Sequence, residues 1–95
     1  RKIQLQLADP DVNIVSKYFY SNDILTKAFI LNKKGETEKI FFFKNGIIIY
    51  EKEFDCAKNI IKALYKYEYK EGKLTNKIII DEKDKDFNDY IKEIS

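Results

Sequence analysis

The spacing of its turn residues restricts this chain more than any other feature. Asn22-Asp23, Asn45-Gly46 and Glu71-Gly72 form one class of turn, and Asn32, Asp55 and Asp81 open a second. From the second residue of each first-class turn, the next Asn or Asp lies nine positions on: 23 to 32, 46 to 55, 72 to 81. With Asp9 of Asp9-Pro10-Asp11 as an earlier member, second-class turns are 23, 23 and 26 residues apart, which implies a repeat of about 23 residues with a three-residue insertion after Asp55. Asn-Gly is the strongest of these signals, because both residues tolerate the positive φ of a two-residue hairpin turn whose twist matches its strands.

The intervening segments alternate as strands do. In Tyr65-Lys66-Tyr67-Glu68-Tyr69 a period of two places three tyrosines on one face. Seven such segments, at about residues 1–8, 12–20, 24–31, 37–44, 47–54, 61–69 and 73–80, predict a mainly β fold, an antiparallel meander of six to seven strands over residues 1–81. Phe87, Tyr90, Ile91 and Ile94 fall at i, i+3, i+4 and i+7, predicting a C-terminal helix within 84–95, from about residue 86 and capped by Asp86. The competing reading makes 56–68 helical, since Ala57, Ile60, Ile61 and Leu64 also fit that spacing, and yields an α+β fold with a three-stranded meander. At 95 residues, beginning at Arg1 and lacking Met, the chain is expected to be a single domain, 1–95, cut from a longer protein.

Regular two-residue hairpins would pair Tyr20 with Leu25, Phe43 with Ile48, Phe41 with Tyr50, Tyr69 with Leu74 and Tyr65 with Ile78, gathering the aromatic residues on one core face. Hairpin two then carries Ile40, Phe42, Ile47 and Ile49 on its other side. Four apolar side chains of the tail helix suffice for one side of one hairpin, so this patch, flanked by Lys39, Lys44 and Glu51, is the expected docking surface for a partner protein, a neighbouring domain or a second copy.

Chemistry has few footholds. The chain has no His and one thiol, Cys56, which excludes the familiar zinc sites, disulfide frameworks and His-based catalytic apparatus within it. Aromatic and apolar content excludes a disordered chain, and a net charge of +2 does not demand a polyanionic partner. Asp84, Asp86 and Asn88 alternate as calcium ligands do, but an EF-hand loop would need Gly at Asp89 and Glu at Ser95, so the run reads as a turn and helix start. Glu51 and Glu53 share a strand face, which suits lysine pairing better than acid–base catalysis. Tyrosines facing the core with their lysines turned away disfavour nucleic acid. No cofactor, metal, enzymatic activity or membrane insertion is expected.

The segments Tyr67-Glu68-Tyr69-Lys70-Glu71-Gly72-Lys73-Leu74-Thr75 and Leu31-Asn32-Lys33-Lys34-Gly35 resemble steps of the YD/RHS-like repeats and of the related β-repeats of bacterial MORN-variant proteins, over about residues 12–81. That resemblance implies an extended β scaffold in a bacterial envelope or exported protein, with no catalytic residues. The expected function is a non-enzymatic interaction domain that binds protein through a sheet face or edge. The alternative is a small α+β nucleic-acid-binding or inhibitory protein of a mobile element.

Overall fold

The computed structural model describes residues 3–7 and 15–94, with side chains from Ser16 onward. Seven strands, β1 (Ile3–Leu7), β2 (Val15–Ser21), β3 (Ile24–Leu31), β4 (Thr37–Lys44), β5 (Ile47–Asp55), β6 (Ile60–Lys70) and β7 (Lys73–Ile80), form one antiparallel sheet in chain order, followed by helix α1 (Lys85–Ile94). The fold is therefore the mainly β meander with a C-terminal helix. Residues 60–70 are strand, which removes the α+β reading. The Asp9-Pro10-Asp11 turn lies outside the described residues.

Local chemistry accounts for the turns. Asn22 and Asp23, Asn45 and Gly46, and Glu71 and Gly72 all have positive φ, as two-residue turns with the twist of their strands require. At the other end of each hairpin, Asn32, Asp55 and Asp81 accept backbone N–H bonds from Lys34, Lys58 and Lys83 on a side-chain oxygen, at 2.9, 3.2 and 2.7 Å. Gly46 has φ of +82°, and a Cβ there would meet nothing within 4 Å. Gly46→Val should therefore act through backbone strain alone, lowering stability by about 1 kcal/mol or more, read as a fall in denaturant midpoint. An unchanged midpoint would contradict the turn geometry.

Each of these hairpins also carries a one-residue bulge at the same offset from its turn. The register shifts between Phe19 and Tyr20, Phe42 and Phe43, and Glu68 and Tyr69, leaving Thr26, Ile49 and Thr75 without opposing residues. The hydroxyls of Thr26 and Thr75 donate to the carbonyls of Phe19 and Glu68, at 3.2 and 3.1 Å. Near the turns the pairing is as expected: Tyr20 with Leu25, Phe43 with Ile48, Tyr69 with Leu74. Past each bulge it moves by one, so Tyr50 opposes Phe42 and Ile78 opposes Lys66, correcting the expected Phe41–Tyr50 and Tyr65–Ile78 pairs. A slip of one residue exchanges the faces of a strand. The aromatic residues are consequently divided between both sides of the sheet.

Two cross-strand rows show the division. Phe19, Lys27, Phe42, Tyr50, Lys66 and Ile78 pair in succession across β2–β7 on one side, and Tyr18, Ala28, Phe41, Glu51, Tyr65 and Ile79 on the other. Helix α1 lies on the first side. Its Phe87 and Tyr90 join Phe42, Tyr50 and Leu64 in the buried cluster, with Ile40, Ile49, Ile80, Ile91 and Ile94 packed around it. Edge-to-face contacts of Phe42 and Tyr50 with Phe87, at 5.7 and 5.0 Å between centroids, fix the helix on the sheet. The Tyr90 hydroxyl donates to the Phe43 carbonyl at 2.5 Å. The cap is Asp84, two residues before the expected Asp86: its Oδ2 accepts from the Phe87 N–H at 3.0 Å, and the helix begins at Lys85.

Candidate functional site

The side of the sheet away from α1 carries a compact polar cluster. Tyr65, Tyr67 and Tyr69 share this side by alternation along β6, and their hydroxyls all reach back toward β5. Tyr67 donates to Glu51 Oε1 at 2.6 Å, Tyr65 to Glu53 Oε1 at 3.3 Å and Tyr69 to the Ile48 carbonyl at 2.6 Å. Lys77, opposite Tyr67 on β7, extends its ammonium to within 3.0 Å of Glu51 Oε1 and lies 4.4 Å from the Tyr65 ring centroid. Lys39 on β4 approaches Glu51 Oε2 to 3.6 Å.

Glu51 is the centre of this arrangement, and it is only 1% exposed. Its Oε2 accepts no hydrogen bond from the described residues, so Lys39 supplies that oxygen's compensation. Burial alone would raise the Glu51 carboxyl pKa; the Tyr67 hydroxyl with Lys77 and Lys39 outweighs it and holds the group below the usual carboxylate value. Burial and the hydrogen bond to Glu51 push the Tyr67 phenol upward. The cluster thus holds one fixed negative charge between two cations and a phenol that stays protonated. A carboxylate kept ionised by fixed partners supports the sheet more readily than it exchanges protons.

Lys66 faces the α1 side, turned away from these tyrosines as expected, whereas Lys77 lies on the same side as they do. Lys77 and Lys39 both point at Glu51 in this arrangement. Glu51 and Glu53 do share a face, and they bind different tyrosines.

The seven residues expected to form one docking patch are distributed differently. Phe42 is 3% exposed beneath α1, Ile40 and Ile49 pack against the same cluster, and Glu51 is buried on the opposite side. Ile47 and Lys44 are exposed beside the Asn45-Gly46 turn, and Lys39 is directed to Glu51. No continuous exposed patch exists there, because the bulge at Ile49 turns both Ile49 and Tyr50 toward the helix.

Exposed apolar side chains concentrate instead on β7, where every residue except Ile80 is exposed. Leu74, Ile78 and Ile79 are 51%, 39% and 72% exposed. β7 ends the sheet order, so its outer edge has no neighbouring strand among the described residues. The run Ile78-Ile79-Ile80, apolar on both sides of a strand, is the sequence signal that marks this place.

Elsewhere, Asp81 and Asp84 are engaged in the turn and the helix cap. Among the described residues no group of three His, Cys, Asp or Glu is placed to hold a metal ion. A groove lined by Phe29, Ile40, Phe54, Ile60 and Glu36 reaches Cys56. Partial burial there, with Glu36, Glu38 and Asp55 nearby, pushes the thiol pKa up, away from nucleophilic character. No described helix is long and apolar enough to cross a membrane.

Comparison with family models, curated proteins and solved structures finds no match to this chain.

Proposed function

We propose that this chain is a non-enzymatic β-meander interaction domain of a larger bacterial protein, and that it binds another protein through the outer edge of β7. The observation that carries the reading is that edge itself: an eight-residue strand at the end of the sheet, exposed from Lys73 to Ile79, with Leu74, Ile78 and Ile79 among its exposed side chains. Edge strands present unpaired main-chain donors and acceptors, and natural sheets normally protect them with charge, proline or a covering element. Here α1 covers the middle of the sheet and leaves β7 open. A partner strand added to this edge would gain main-chain hydrogen bonds and bury the isoleucines.

A repeat scaffold fits the same picture. The constant turn spacing, the common bulge position and the resemblance to YD/RHS-like and MORN-variant repeats support a meander whose units serve as a platform, in an envelope or exported setting. A photo-reactive residue at Ile79 in the host cell should give a discrete protein adduct, while the same probe at exposed Lys62 gives none. Ile79→Asp should weaken binding of the purified partner at least about tenfold, with an unchanged circular dichroism spectrum. Absence of any adduct specific to Ile79 would overturn the reading.

A further inference from the structure

We infer that β7 is a detachable edge strand, clasped to the sheet by the Lys77–Glu51 ion pair, whether or not it docks a partner. Local opening is easiest where few apolar contacts are buried and the main chain lies near water. β7 meets both conditions: Lys73 to Ile79 are exposed, and Ile80 alone of its residues packs against the cluster beneath α1. That cluster takes its buried residues from β4, β5, β6 and α1, so the rest of the sheet keeps them when β7 leaves. The connections allow it. Fully extended, residues 71–84 span up to roughly 46 Å, against about 26 Å for the eight residues of β7 in place, so the segment can lift off while β6 and α1 stay anchored.

The side-chain ties of β7 are few. Thr75 and Asn76 donate to Glu68 on neighbouring β6, at 3.1 and 3.4 Å. Lys77 alone among the polar side chains of β7 reaches across β6 to β5, its ammonium 3.0 Å from Glu51 Oε1 and 4.4 Å from the Tyr65 ring centroid. The two ends of this contact differ in freedom. Glu51 is 1% exposed and held from two other directions, by Lys39 on β4 and the Tyr67 hydroxyl on β6, whereas the Lys77 side chain is 40% exposed. Glu51 is thus a fixed catch and Lys77 a movable arm. When the arm lets go, Glu51 keeps Lys39 and Tyr67, so opening leaves no uncompensated buried charge. Departure of β7 uncovers the outer main-chain groups of β6, a second edge that the closed sheet conceals.

Native-state hydrogen exchange of the full chain, followed amide by amide by NMR, reads the opening. The amides that pair β7 with β6 should be less protected than those joining β4 to β5, and less sensitive to low urea, because a local opening exposes less surface. Lys77→Met keeps an apolar stem over Tyr65 and removes the ammonium, and it should lower β7 protection about fivefold or more. Glu51→Gln should lower it similarly. The double variant should lower it by little more than either single one, since the same contact is lost in all three. β7 amides as protected and as urea-sensitive as those of β4 and β5 would show that the strand opens only with the whole sheet, and would overturn the inference. So would additive effects of the two substitutions, which would mean that Lys77 and Glu51 act on β7 separately.

Discussion

Phe42→Asp should yield no cooperatively folded protein, and Phe42→Ala should lose about 3–5 kcal/mol, the larger part of what a domain of this size has to lose. Phe42 is 3% exposed and lies between sheet and helix, with its ring edge-to-face against Phe87 and Tyr90 at 5.7 and 6.2 Å. Truncation opens a cavity in the cluster through which α1 grips the sheet. Aspartate puts a carboxylate among Tyr50, Leu64, Phe87 and Tyr90, an apolar and aromatic buried cluster. Thermal or urea unfolding followed by near-ultraviolet circular dichroism reads both effects. Phe42→Asp with a native spectrum and midpoint would mean that α1 does not cover β4.

The contrast with the expected docking patch shows what a sequence of this kind discloses. Strand positions and the two turn classes were legible because Asn, Asp and Gly announce positive φ and side-chain-capped turns directly. The tail helix was legible because four apolar residues at helical spacing leave no other amphipathic reading. The bulges were not legible: the extra residues are Thr26, Ile49 and Thr75, ordinary strand formers that carry no mark of being unpaired. Yet each bulge inverts the faces beyond it. Alternation counted through Ile49 sends Tyr50 to the wrong side and misses that Phe42 and Tyr50 face the helix together. The cap shows the same limit on a smaller scale, since Asp84 and Asp86 are both competent N-cap residues and the sequence does not say that the Phe87 N–H bonds to Asp84. In the candidate site, the shared face of Glu51 and Glu53 followed from spacing, but the choice of Lys39, Lys77 and Tyr67 as partners of Glu51 depends on registers that the bulges set. The open edge of β7 follows from topology, with Ile78-Ile79-Ile80 as its only local trace.

Glu51 offers the second large effect and ties it to pH. Glu51→Gln keeps the shape of the side chain and removes its charge, leaving the buried end of Tyr67 with a weaker acceptor and Lys39 and Lys77 without a counter-ion. Loss of one partner in a buried ion pair can reach 3–5 kcal/mol, but both lysines here are 40% exposed and can turn to water, so about 2 kcal/mol is expected. Because the folded carboxyl pKa lies below its ordinary value of 4.5, the folded state favours the ionised form. The stabilisation is therefore fully present above about pH 4.5 and is lost as pH falls through the lower folded value. Urea midpoints of the two proteins should differ at pH 7 and converge in acid, the native chain losing stability over this window by more than Glu51→Gln. A difference that stays constant down to pH 3 would mean that the cost of Glu51→Gln does not come from the charge of the carboxylate, and would place that charge outside the network of Tyr67, Lys77 and Lys39.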